Sequence, residues 1–119
     1  MITIHGIGNC DTCRKARKWF DEKGIDHEWV DLRDPGVDRA TLAGWLEQVG
    51  ADRLINHRSA TWRKLPEDLK AAAVQGDAVA VLEDYTTLIK RPVFEAGGQV
   101  RVGFDDTTRG WIGKGLRAT

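Results

Sequence analysis

The chain opens on "ITIHG", where Ile2 and Ile4 alternate with polar neighbours and a glycine closes the run, the mark of a short strand. The period then changes. Cys13, Ala16, Trp19 and Phe20 recur at helical spacing, with Arg14, Lys15, Arg17 and Lys18 turned elsewhere. Asp11 or Thr12 is the expected cap of this helix, and Gly24 its end. "DHEWVDL" reads as a second strand and "RDPG" as the turn after it. Asp38 begins the clearest helix. Val37 and Leu42 flank that cap at staple spacing, and Leu42, Trp45, Leu46 and Val49 form a stripe up to Gly50. Residues 52–64 read as short helical turns and loop. Pro66 starts another helix with acidic residues in its first turn. Asp77 is the expected cap of one more, running through Tyr85, with Val79 and Leu82, and Val81 and Tyr85, as apolar pairs. In "PVFEAGGQVRVGF" two short runs surround Gly97–Gly98, a β-hairpin signal. "DTTRGWIGKGL" reads as a final helix weakened by Gly110, Gly113 and Gly115.

The order β-α-β, several helices, β-β, α is that of an α/β fold. Its helical block is too long for a simple connection and is expected to be an inserted subdomain. A strand, a turn with a cysteine pair and a helix opening inside β-α-β resemble the thioredoxin plan. The expectation is one domain over residues 1–119, with a thioredoxin-like β-α-β…β-β-α core at about 1–34 and 86–119 and the insertion at about 37–85.

Charge narrows the function classes. The chain has 18 basic and 18 acidic residues, so direct binding of nucleic acid by bulk electrostatics is not expected. No apolar run approaches the ~20 residues of a membrane span, and no secretory signal is visible, so the reducing cytoplasm is the expected location. A close cysteine pair there points to catalysis, sensing or metal binding. A zinc site draws on roughly four ligands, but only one cysteine pair is present, and His5, His27 and His57 are scattered. No metal is expected.

The chemistry therefore rests on "NCDTC". Cys10 lies on the turn before a helix, where free N–H groups and the helix dipole favour a thiolate, and the basic run behind it adds positive charge. Cys10 is the expected nucleophile. Cys13 has two readings. It is positioned to resolve a mixed disulfide on Cys10, yet it shares a face with Ala16, Trp19 and Phe20, where free cysteine packs as a small hydrophobe.

"ITIHGIGNCDTCRKARKWFDEKGID", "LINHRSATWRKL" and "LIKRPVFE…VRVGF" together resemble the ArsC/Spx family, closest to its YffB-like branch. The resemblance implies a thioredoxin-like fold with a helical insertion and a nucleophile at Cys10. It matches Arg91 to a substrate- or anion-binding arginine and Pro92 to a proline that is cis. Glutathione is implied as co-substrate, with no tightly bound cofactor and with Arg14, Lys15, Asn56, Arg58 and Pro92 beside Arg91 as candidate contacts. The implied partners are glutaredoxin or a protein disulfide, in a monomer. Arsenate reductases of the family hold the oxyanion with three arginines, but the first aligns with Asn56 and the third falls at about Phe104. Arginine forks bind an oxyanion bidentately, so arsenate is disfavoured. Arg58 and Arg101 nonetheless lie near the two missing positions, and glutaredoxin-coupled arsenate reduction stands as an alternative. The C-x-x-C also resembles Spx-type members, implying as an alternative a redox switch that binds RNA polymerase.

Overall fold

The computed structural model describes residues 1–33 and 36–115. The expected turn at Asp34 and Pro35, and the last expected helix beyond Gly115, fall partly outside the described residues. The chain divides into two compact units, residues 1–31 with 91–119 and residues 32–90.

In the first unit, β1 (Ile2–Gly6), α1 (Asp11–Lys23) and β2 (His27–Asp31) form a parallel β-α-β unit, and β3 (Val93–Ala96) and β4 (Gln99–Val102) form a hairpin. The strands order as β2-β1-β3-β4, with β3 antiparallel to β1. Gly97 and Gly98 both take positive φ, as a two-residue hairpin turn with the right twist demands. Ile2, Ile4 and Phe94 are completely buried with Ala16 and Phe20 of α1 and Ile112 of α7 (Asp106–Gly115). The last helix thus forms despite its glycines, because Ile112 and the half-buried Trp111 pack on the sheet. Packing outweighs propensity there.

Two caps differ from expectation. The N-cap of α1 is Cys10, not Asp11 or Thr12: its backbone is extended (φ −97°, ψ 122°) and its carbonyl accepts the first helical bond from Arg14 N–H. Asp77 stands at the N-cap of α6 (Ala78–Asp84), but its side chain makes no capping bond. Asp38 does cap α2 (Arg39–Val49), accepting from Thr41 N–H at 2.7 Å. Gly24 ends α1 in the left-handed region, as read.

The second unit is helical. α2 packs on α6, and so does α5 (Glu67–Val74); α3 (Ala51–Leu54) and α4 (Ala60–Lys64) are the short turns expected between residues 52 and 64. Of the apolar residues expected on α6, Val81 and Leu82 are buried with Ala78, whereas Tyr85 is exposed. Among the described residues, no helix is long and apolar enough to cross a membrane.

On β1, buried His5 donates from Nε2 to Glu95 Oε1 of β3 at 2.5 Å, a diagonal cross-strand pair. Burial pulls the His5 pKa down, against the pull of Glu95, to a net value below 6.5. The unfolded chain then binds more protons than the folded one as pH falls below about 6.5, so stability is full above that value and is lost towards and through the folded pKa. The urea midpoint should drop between pH 7.5 and pH 5 by less in His5→Gln than in the native chain. Equal drops would rule out His5 as the source.

Candidate functional site around Cys10

Cys10 sits where β1 has ended and α1 begins. Its N–H donates to Ile7 O at 3.1 Å, closing the turn that sets the sulfur at the helix mouth. The residue is partly exposed, and both cysteines are free thiols. Burial by itself would raise the Cys10 pKa. The Cys13 backbone N–H, the Cys13 thiol and the Arg91 guanidinium all favour the thiolate and outweigh it, leaving the pKa below the ordinary thiol value. The Cys13 amide acts without the geometry of a capping hydrogen bond. The cation at work is therefore Arg91, not the basic run of α1. Arg14 is paired with Asp11 at the exposed start of the helix, and Lys15 is exposed.

Arg91 precedes Pro92, and the peptide between them is cis. Pro92 is buried, and its carbonyl accepts from Gly103 N–H at 2.9 Å, which ties the residues leading into β3 to the end of β4. Arg91 is thus held by the sheet while Cys10 is held by β1 and α1.

Cys13 is fully buried. Burial pushes its thiol up to about 12, while the Ile7 backbone N–H pulls the other way and the neighbouring Cys10 thiol reinforces the rise. Of the two readings of this residue, the packed one describes its surroundings. A methyl carbon added to Gly6 would lie 2.5 Å from Cys13 Sγ and 2.8 Å from Trp29 Cη2, so sulfur and indole meet over a position only glycine leaves open. Sequence reading missed Gly6 and Trp29 as neighbours of the cysteine pair. The only signal was the glycine at the end of the first strand, which also reads as a plain strand terminator.

Asn56 and Arg58 belong to the helical unit. There Asn56 Oδ1 accepts from Arg58 N–H at 3.1 Å, and Asn56 N–H donates to Leu88 O at 2.7 Å, so the pair forms a turn of its own. Phe104 packs edge-on against Trp19 at 5.6 Å and tilted against Phe94 at 6.2 Å. An aromatic side chain, not a cation, occupies that position. Among the described residues, no three His, Cys, Asp or Glu side chains come together as a metal site.

The chain is similar to known proteins along most of its length. The chain is 37% identical to a solution structure of an arsenate reductase (ArsC)-related protein from Brucella melitensis, covering 95% of this chain and 94% of that one with a TM-score of 0.76. It is 34% identical to a YffB protein of known structure over 92% of this chain and 96% of that one, with a TM-score of 0.86. An uncharacterized protein of Haemophilus influenzae shares 42% identity over 89% of this chain and 93% of its own length. The global transcriptional regulator Spx of Staphylococcus saprophyticus shares 27% over 89% of this chain and 82% of its own. The fold is that of the thioredoxin-like ArsC structures. With the ArsC family profile matching residues 5–109, cysteine turn and proline loop included, the chain belongs to the ArsC family.

Proposed function

We propose that the protein is a glutathione-linked thiol reductase that works through a mixed disulfide on Cys10. Family and fold point to thiol-based redox chemistry. The observation that supports the finer reading is the asymmetry of the pair: a partly exposed Cys10 with a lowered pKa beside Arg91, and a buried Cys13 pushed up to about 12. The Cys10 thiolate attacks one sulfur of a disulfide, forming a Cys10 mixed disulfide and expelling the other half as a thiolate. A glutathione thiolate then attacks the outer sulfur of the adduct, leaving with it as a glutathione disulfide and returning Cys10 as thiolate. Arg91 takes a carboxylate of glutathione by charge-assisted hydrogen bonds, with Lys15 and Arg14 on the exposed face of α1 adding positive charge. Cytoplasmic location, with glutaredoxin or a protein disulfide as partner, belongs to the same proposal.

The test is mass analysis of the reduced protein after exposure to oxidised glutathione. One glutathione on the peptide that holds Cys10 is the expected product. An unmodified protein, or an adduct confined to Cys13, would overturn the reading. One alternative has an observation behind it. The C-x-x-C, together with similarity to Spx, fits a redox-switched regulator that binds RNA polymerase, and rapid closure of a Cys10–Cys13 disulfide in the same experiment would favour it. Arsenate reduction lacks such support, with Phe104 packed among aromatic rings.

A further inference from the structure

The wall around Cys13 has a third member. Arg17, one helical turn beyond Cys13 on the same face of α1, places its guanidinium 4.4 Å from the centre of the Trp29 ring. Trp29 in turn stands on β2, register-paired with Ile4, and reaches over Gly6 to the sulfur. Cys13 Sγ and the indole edge meet side by side over Gly6, and the Arg17 guanidinium lies over the indole. Sulfur and ring edge both lie within 2.8 Å of the same point above Gly6, which puts them within reach of a sulfur–aromatic contact. Exposure rises along this group: Cys13 is fully buried, Trp29 half-buried and Arg17 exposed.

We infer that Trp29, clamped from outside by Arg17, seals the Cys13 thiol, and that this seal decides how the Cys10 mixed disulfide is cleared. The inference rests on Cys10 as the nucleophile. Two routes compete for a glutathione adduct on Cys10. In one, the Cys13 thiolate attacks Cys10 Sγ, the Cys10–Cys13 disulfide forms, and glutathione leaves as thiolate. In the other, an external glutathione thiolate attacks the glutathione sulfur, releasing oxidised glutathione and the Cys10 thiolate. The internal route first requires Cys13 to lose its proton, and the indole excludes the water that would take the proton and solvate the charge. The external route needs nothing from Cys13. A C-x-x-C spacing that suggests a dithiol thus encodes a one-cysteine cycle, with Arg17 and Trp29 as positioning residues.

The test has two arms. In a Cys10→Ser background, alkylation of Cys13 by N-ethylmaleimide should be at least tenfold faster with Trp29→Ala. With Trp29→Phe, which keeps a ring over the sulfur, it should stay within threefold of the parent rate. Arg17→Ala changes only an exposed side chain and should give an intermediate rate, so it carries the test if Trp29→Ala fails to fold. In the native background, the Cys10 glutathione adduct should persist in the parent protein and in Trp29→Phe, and collapse to the Cys10–Cys13 disulfide in Trp29→Ala. Equal Cys13 alkylation rates in the parent, Arg17→Ala and Trp29→Ala would overturn the seal, as would an adduct that closes to the disulfide in the parent. The alkylation arm needs no reactivity from Cys10, so its failure is separate from failure of the reductase reading.

Discussion

Cys10→Ser is expected to abolish adduct formation with oxidised glutathione, a loss on the order of 10³-fold or more in any thiol-reductase assay. Only a thiolate attacks a disulfide sulfur at neutral pH, and a serine hydroxyl does not ionise there. The fold should be unaffected. Cys10 contributes to α1 through its backbone, donating to Ile7 O and accepting from Arg14 N–H, and serine keeps both bonds. Serine is also a favoured N-cap residue, whereas the Cys10 side chain makes no capping bond, so stability should hold or rise by up to about 1 kcal/mol. Thermal melts and mass analysis of one preparation separate the two effects. An adduct that survives on the serine variant would show that the reactive group lies elsewhere.

Gly6→Val is the largest expected loss of stability. The φ of Gly6 is not positive, so the objection is steric: the first added carbon already meets Cys13 Sγ at 2.5 Å and Trp29 Cη2 at 2.8 Å. The sulfur is fully enclosed and has nowhere to go, so the indole or the strand must shift. Overfilling a packed site in this way costs about 1–3 kcal/mol, with Gly6→Ala at the low end and Gly6→Val at or above the high end. In a chain of this size that is a fall of several degrees in Tm. Cys13→Ala removes one of the two clashing groups, so Gly6→Ala should cost less in that background. The coupling is read from a double-mutant cycle in urea. Additive effects would mean that Gly6 and Cys13 do not share the contact described.

How much of this was legible beforehand depended on whether the signal was local. Ile2 and Ile4, the Gly97–Gly98 turn and the Asp38 cap are local patterns, and each element formed as read. The cap of α1 was misread because Asp11 and Thr12 have the right chemistry. The chain instead turns helical one residue earlier, after the Ile7–Cys10 turn bond. The field on Cys10 was misassigned for a non-local reason. The basic run follows the cysteines in sequence, but Arg14 is drawn to Asp11, and the cation that acts on the sulfur is Arg91, some eighty residues on. No periodicity connects Arg91 to Cys10, and only the resemblance did. The Gly6–Cys13–Trp29–Arg17 group draws on β1, α1 and β2, and was invisible for the same reason.

The central claim is that one thiol of the pair works and the other does not. It is tested most directly by alkylating the native protein with iodoacetamide across pH 5 to 10 and counting modification at Cys10 and Cys13 by peptide mass analysis. Cys10 should react with a midpoint below the free-thiol value of about 8.5, while Cys13 stays unmodified across the range. A Cys10 midpoint at or above that value, or modification of Cys13 ahead of Cys10, would contradict the account.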